Sequence, residues 1–189
     1  MACNQGREYV FLQLIMRMKY LSFLLAFLPY FINAQDCTLK NEKDRFNQDP
    51  RLTTGFISLG AGNDKFLLSI SADKKEVDYF FALDKSTMCF NDYSRVIVAY
   101  DTKQKGNFKN GGTTNCKGYF HFIFPNQENL NVNLTNLSQK KIATLQFTDN
   151  SNNKKIITLR PEDQETIIKL TNCVFAELEK LRIDTWKPK

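Results

Sequence analysis

Alternating runs of aromatic and β-branched residues direct this chain toward a strand-rich fold. Residues 117–124 read Lys-Gly-Tyr-Phe-His-Phe-Ile-Phe, with phenylalanine at positions 120, 122 and 124. Successive side chains of a strand point to opposite faces, so these three phenylalanines share one face, and His121 lies on the other. One buried face and one more polar face are typical of an antiparallel sheet.

The same pattern predicts about seven strands, separated by turns that contain glycine, asparagine and aspartate. The predicted strands cover residues 51–59, 65–71, 76–83, 95–100, 117–124, 141–148 and 155–159. Residues 105–107 and 110–112 are interpreted as turns, and residues 127–139 are interpreted as a polar connection.

A helix is predicted at the end of the chain, from about residue 161 to residue 182. Proline is favoured at the first helical position, and Glu162 and Asp163 suit the positive end of the helix dipole. A stripe at helical spacing predicts a contact with the sheet. Its members are Gln164, Ile167, Ile168, Thr171, Val174, Phe175, Leu178 and Leu181. The expected fold is α+β and mainly β, an antiparallel sheet with this helix packed on it; a β-sandwich with a helical appendage is the alternative.

The N-terminal region has the pattern of a cleavable export signal. Arg17 and Lys19 precede an apolar run that continues to about residue 32, and a small residue, Ala34, follows. The run is shorter than the roughly 20 apolar residues that span a membrane. We therefore predict a signal peptide at residues 16–34, cleaved after Ala34, and a single disulfide-braced domain at residues 35–189.

Two details refine this prediction. Residues 1–15 place polar groups ahead of the basic segment, so we interpret them as a non-native extension and expect translation to start at Met16 or Met18. Cys37 follows Gln35 and Asp36. Lipoprotein processing requires small residues before the cysteine, so the sequence argues against a lipid anchor.

Four cysteines remain after the predicted cleavage: Cys37, Cys89, Cys116 and Cys173. An even number in an exported chain predicts two disulfides, with three possible connectivities. The preferred pairs are Cys89–Cys116, which joins two turn-rich segments, and Cys37–Cys173, which ties the start of the domain to the last helix. No C-x-x-C motif is present, so both disulfides are expected to be structural.

The charge distribution argues against a nucleic-acid partner. The predicted mature chain has 23 Lys and Arg residues against 19 Asp and Glu residues, but the excess is spread along the chain. Nucleic-acid binders concentrate positive charge on one face. No second long apolar run exists, so no membrane span is expected in the mature form.

The sequence lacks the common catalytic motifs. His121 is the sole histidine of the chain, so a His-rich zinc site cannot form, and it is interpreted as a packed or edge residue. A Ser-His-Asp triad would have to use His121, but no G-x-S-x-G motif occurs. No phosphate-binding loop is present either. We predict no catalytic residue, no metal and no cofactor.

Pairs of acidic residues and several aromatic residues, some of which belong to the core, are the other candidates. Asp44 with Asp49, or Asp78 with Asp84, have the chemistry for acid–base hydrolysis of glycans. Asp78 alternates within an apolar strand, which predicts the solvent face. Aromatic side chains supply contact area for a sugar or peptide. The candidates for this role are Phe56, Tyr79, Tyr93, Tyr100 and Tyr119.

The start of the predicted domain resembles a known group of proteins. Residues 37–46 end in Asp44-Arg45-Phe46 and precede a strand that contains Thr53 and Thr54. This arrangement, with the strand-rich middle and the closing helix, is similar to small exported proteins of Bacteroidota-type bacteria. In that group an Asp-x-Phe-Thr-Gly segment opens the domain, whereas this chain has Asn47-Gln48 after Phe46. The resemblance implies an exported, β-rich protein and carries over no activity.

The sequence therefore favours a periplasmic or secreted binding module without catalytic activity, whose partner is an envelope protein or a glycan. A small hydrolase that acts on envelope glycans is the first alternative, and it predicts two carboxyl groups close together in a pocket. A passive structural protein of the envelope is the second alternative.

Overall fold

A computed structural model describes residues 38–43, 50–84 and 86–183, all within a compact unit from Cys37 to Lys189. The strands are β1 (Lys40–Lys43), β2 (Pro50–Thr53), β3 (Ile57–Leu59), β4 (Phe66–Ala72), β5 (Glu76–Leu83), β6 (Arg95–Tyr100), β7 (Lys105–Lys109), β8 (Tyr119–Pro125), β9 (Ile142–Thr148) and β10 (Lys154–Thr158). The α-helices in this part are α1 (Val132–Gln139) and α2 (Pro161–Ile183), and a 3₁₀ turn spans Gly62–Asp64.

The strands form two antiparallel sheets. Sheet 1 has the order β1-β2-β4-β5-β8, with β3 also paired to β4, and sheet 2 has the order β10-β9-β6-β7. The mainly β fold with a C-terminal helix is confirmed. The expected count of about seven strands was wrong, because the described residues form ten strands in two sheets.

Two of the extra strands come from segments whose glycines had suggested other structures. The predicted strand at residues 51–59 is divided into β2 and β3 at Gly55, whose φ of 66° is unfavourable for other residues. Residues 105–107, predicted as a turn, open strand β7. Glycine suits position 106 because the ring of Phe108 lies over it. A Cβ at this position would be only 2.8 Å from that ring.

Helix α1 replaces the polar connection predicted at residues 127–139. The Asn131 side chain caps the helix by accepting a hydrogen bond from the backbone N–H of Asn133 at 2.9 Å. Leu134 and Leu137, three residues apart, are fully buried. Two leucines were too weak a periodic signal among the polar residues that surround them.

Aromatic side chains join the two sheets. The inner face of sheet 1, defined by Phe81, Phe120 and Phe122, meets Phe108 and Phe147 of sheet 2. The Phe108 and Phe122 rings stack with centroids 4.9 Å apart, and the Phe120 and Phe147 rings meet edge to face at 5.4 Å. These residues belong to one continuous hydrophobic core.

Helix α2 covers another part of the same inner face. Its bounds agree with the predicted helix to within one residue, and Ile167, Thr171, Val174 and Leu178 of the predicted stripe are buried. The hydroxyl of Tyr79, on β5, donates a hydrogen bond to Thr171 Oγ1 at 3.0 Å. None of the helices in the described part of the chain has the length and apolar character that crossing a membrane requires.

The disulfide predicted between Cys89 and Cys116 is present, with a Cα–Cα distance of 3.9 Å. The next residues inward, Phe90 and Asn115, form an antiparallel bridge, which brings the two cysteines together. Cys173 is also disulfide-bonded. Its predicted partner, Cys37, lies outside the described residues.

Candidate binding site

The outer face of sheet 1, opposite the aromatic inner face, carries a cluster of polar side chains. Ser69 and Ser71 on β4 and Asp78 on β5 are all less than 10 % exposed. Burying hydroxyl and carboxylate groups is unfavourable unless they are hydrogen-bonded. Each of these three residues has such a bond within the cluster.

Asp78 and His121 form the centre of this cluster. The imidazole Nδ1 lies 3.1 Å from Asp78 Oδ1 and 3.0 Å from Oδ2. The pairing of β5 with β8 places Phe80 opposite His121, so Asp78 is its diagonal neighbour on the same face. Asp78 lies on the outer face, as its alternation with apolar residues predicts, but only 6 % of the residue is exposed, because polar groups of the neighbouring strands surround its side chain.

Arg51 approaches Asp78 from the other side. Its guanidinium donates a hydrogen bond to Ser71 Oγ at 2.6 Å and lies 3.6 Å from Asp78 Oδ2. A hydrogen bond of 3.2 Å joins the hydroxyls of Thr53 and Ser69. Polar side chains from β2, β4, β5 and β8 therefore form a continuous network across four strands.

A glycine segment packs against His121. The backbone N–H of Gly111 donates to the carbonyl of His121 at 2.8 Å, and the His121 N–H donates to Asn110 Oδ1 at 3.0 Å. A Cβ on Gly112 would lie 2.5 Å from His121 Cδ2, so a larger residue there would displace the imidazole. The absence of a side chain at Gly112 thus permits the contact between His121 and Asp78.

The polar side chains of the outer face line a cavity of about 320 Å³, which we call the outer-face pocket. This volume lies at the small end of the range of about 300–1,000 Å³ that is usual for ligand pockets. The lining residues are Lys40, Glu42, Arg51, Thr53, Gly55, Phe56, Ser69, Ser71, Asp78, Phe80 and His121.

An aromatic row borders the polar network. Phe80 is central: its ring centroid lies 4.6 Å from that of His121, 5.3 Å from that of Tyr119 and 5.6 Å from that of Phe56. Phe56 is 63 % exposed. The pocket therefore combines hydrogen-bonding groups with an accessible aromatic surface.

Glu76 adds a perturbed carboxyl group close to the pocket. It precedes Asp78 by two residues, so the two side chains share the outer face with their Cα atoms roughly 7 Å apart. Desolvation raises the pKa of Glu76, and the negative charges of Asp73 and Asp78 raise it further.

The other sequence candidates do not converge on this site. Asp84 lies six residues beyond Asp78, roughly 20 Å along the strand, and is exposed. Tyr79 and Tyr100 are buried in the core, whereas Tyr93 is 85 % exposed and does not line the pocket. Asp44 and Asp49 lie outside the described residues.

The described ranges contain no group of three or more His, Cys, Asp or Glu side chains placed to hold a metal ion. The asparagine-rich segment at residues 149–153 forms the hairpin turn between β9 and β10. Asp149 Oδ1 accepts hydrogen bonds from the N–H groups of Ser151 and Asn153, both at 2.8 Å. Partial burial opposes ionisation of Asp149, but these bonds and one from the Asn153 side chain lower its pKa overall.

Sequence reasoning identified His121, Asp78 and Phe56 as candidates but assigned them to separate roles. It did not identify Arg51, Thr53 or Ser71. The signal that links them is alternation: all lie on the face opposite the apolar residues of their strands. Recognising the cluster requires the pairing of β5 with β8, which are separated by 35 residues of chain and two strands of the other sheet.

Comparisons with protein-family models, with curated proteins and with solved structures give no match for this chain. The chemistry of the site must therefore be judged from its own geometry. An ionised Asp78 accepts a hydrogen bond from Nδ1–H of His121, which leaves Nε2 as the ring atom that can meet a ligand. Arg51 supplies a donor, and the hydroxyls of Thr53, Ser69 and Ser71 can donate or accept.

Proposed function

We propose that this protein is an exported binding module that holds its ligand in the outer-face pocket and does not transform it. The observation that carries this proposal is the combination of a hydrogen-bonding network around Asp78 with an exposed aromatic side chain, Phe56, at one cavity. Among the described residues, no serine hydroxyl is hydrogen-bonded to His121, so a Ser-His-Asp triad is not assembled.

Export is supported by the basic and apolar segment at residues 16–34 and by the Cys89–Cys116 disulfide, since disulfides persist mainly in oxidising compartments. The test is intact-mass analysis of the protein recovered from its native host. A polypeptide that begins at Gln35 with oxidised cysteines is expected. A chain that retains residues 16–34, or that has four reduced thiols, would overturn this part of the proposal.

Binding is tested by passing separated glycan, lipid and protein fractions of the envelope over immobilised protein. Phe56→Ala and Tyr93→Ala form a matched pair. Both remove an exposed aromatic side chain, but of these two residues only Phe56 lines the pocket. We expect one fraction to be retained by the wild type and by Tyr93→Ala, and to be lost with Phe56→Ala. Failure to retain any fraction would favour the passive structural role, and equal retention by both variants would place binding elsewhere.

A glycan hydrolase is the second candidate, and a specific observation favours it. Glu76 and Asp78 lie on the same strand face, the pKa of Glu76 is raised by desolvation, and Asp78 orients a histidine. A hydrolase predicts that purified protein releases reducing ends from envelope glycans and that Asp78→Asn abolishes the release. No release by the wild type over a range of pH would exclude this candidate and leave the binding proposal intact.

A further inference from the structure

The charged groups around the outer-face pocket balance. Lys40 and Arg51 contribute two positive charges, and Glu42 and Asp78 contribute two negative charges. The pairing of β1 with β2 places Glu42 directly opposite Arg51, and Arg51 also approaches Asp78. A phosphate or carboxylate ligand would meet two acids, and a cationic ligand would meet two bases. Either ion would also meet two opposite charges, so its charge would gain no net attraction while losing its hydration, and an uncharged ligand avoids that cost.

The hydrogen-bonding groups of the pocket are of both kinds. The Asp78 carboxylate accepts, the Arg51 guanidinium donates, and the imidazole of His121 has one ring nitrogen beyond its contact with Asp78. A ligand that satisfies such a mixed set must carry groups that donate and accept at nearby positions. Hydroxyl groups do both, so a polyhydroxylated ligand suits the pocket.

The aromatic border supplies the remaining contact. Phe56 is 63 % exposed and packs edge to face against Phe80, which fixes the ring at the mouth of the pocket. The C–H face of a sugar ring packs on such an aromatic surface while its hydroxyls reach hydrogen-bonding groups. A cavity of about 320 Å³ has room for a ligand of one or two rings.

From these three features we infer that the ligand is an uncharged carbohydrate, one or two sugar units of a neutral glycan, held against Phe56 with its hydroxyls directed at Arg51, Asp78 and His121. This inference rests on the proposed binding function. It selects the ligand class, and it predicts that sugars carrying a carboxylate or an ammonium group are rejected.

The test is an array of neutral, uronic-acid-containing and amino-sugar oligosaccharides, with short neutral peptides as a further arm. Hits are confirmed by titration calorimetry. We expect a neutral oligosaccharide to bind, with Phe56→Ala weakening the affinity about tenfold, as loss of one stacked aromatic contact implies. Tyr93→Ala should leave it unchanged. Phe56 is exposed, so its loss should not impair folding, which a thermal melt of each variant checks.

The outcomes separate the two proposals. Binding of peptides or charged sugars that depends on Phe56 would overturn the ligand class and support the pocket as a binding site. Binding of a neutral sugar that is insensitive to Phe56→Ala would overturn the assigned site. If no neutral glycan on the array binds, the inference fails, and retention of an envelope fraction in the immobilised-protein experiment then decides whether the binding function fails with it.

Discussion

The two faces of sheet 1 are built from the same strands but are held together by different interactions. On the inner face, β5 and β8 present aromatic rings that interlock with sheet 2 and helix α2. On the outer face, the intervening residues of those strands form a polar network around Asp78 and His121. The inner face gains mainly from burial of apolar area, with the Tyr79–Thr171 hydrogen bond as an addition, whereas the outer face buries polar groups that are favourable only while every partner is present. Folding explains the first face, and the proposed ligand binding offers a reason for the second.

The largest expected change in the free energy of unfolding comes from disrupting the aromatic packing of the inner face. Phe122 is 2 % exposed, stacks on Tyr79 with centroids 5.2 Å apart and also contacts Phe108. Phe122→Ala should reduce the free energy of unfolding by about 3–5 kcal/mol, the usual loss for a buried phenylalanine. Urea denaturation measures this loss. Tyr119→Ala, on the outer face of the same strand, is the matched control and should lose about 1 kcal/mol or less. Equal losses would mean that the two faces do not differ in the way described.

Prediction from sequence succeeded for the inner face and failed in part for the outer face, for a physical reason. Alternating apolar residues identify a buried face locally, so the bounds of β5, β6 and α2 were predicted to within one residue. The alternation does not indicate which strands become neighbours in the sheet. Asp78 was therefore placed on the correct face, but its burial there by Arg51 and by its diagonal neighbour His121 was not predicted. Arg51 was not considered because β2 is a strand of only four residues, which ends two residues before Gly55.

Asp78→Asn disrupts the polar network of the outer face at its central residue. The amide keeps the size of the side chain but removes the negative charge that meets His121 at 3.0 Å and Arg51 at 3.6 Å. We expect a loss of about 1–3 kcal/mol in the free energy of unfolding, because the His121 imidazole loses its charged acceptor and the Arg51 guanidinium loses the opposite charge beside it. Asp84→Asn changes an exposed aspartate at the end of the same strand and should shift stability by less than about 0.5 kcal/mol. A loss no greater than that of Asp84→Asn would show that the network contributes nothing to folding.

Two tyrosines of the core extend the comparison, because the hydroxyl of only one of them has a hydrogen-bond partner among the described residues. Tyr79 donates to Thr171, whereas the Tyr100 hydroxyl is buried without a hydrogen bond from any residue in the described ranges. Burial raises the pKa of Tyr100 to about 12 and raises that of Tyr79 as well, so both stay neutral at physiological pH.

Replacing each tyrosine with phenylalanine should therefore change the free energy of unfolding differently. Tyr79→Phe leaves Thr171 without its donor and should cost about 0.5–1.5 kcal/mol, whereas Tyr100→Phe removes an unsatisfied group and should be neutral or stabilise by up to about 1 kcal/mol. Thermal and urea unfolding of the two variants, measured side by side, check the signs. A destabilised Tyr100→Phe would indicate that its hydroxyl has a partner after all.

The smallest effect concerns Glu76, the carboxyl whose pKa is raised above 4.5 by desolvation and by its acidic neighbours. A raised pKa in the folded state means that the folded protein holds this proton more tightly than the unfolded chain does. Stability therefore decreases as the pH rises from the ordinary pKa of glutamate through the raised value, and the loss persists at neutral pH. Glu76→Gln removes this dependence and should stabilise the protein at pH 7 by less than about 1 kcal/mol.

The pH profile distinguishes this effect from a general change in surface charge. Glu128→Gln removes an exposed acid with no role in the pocket and should shift stability little at any pH. Urea denaturation at intervals between pH 4 and pH 7 should show that the advantage of Glu76→Gln over the wild type grows with pH and then levels off. An advantage that is the same at pH 4 and pH 7 would mean that the charge of Glu76 is as well solvated in the folded protein as in the unfolded chain. The outer face would then tolerate a second carboxylate beside Asp78 without strain, and the case for Glu76 as an acid in catalysis would lose its physical basis.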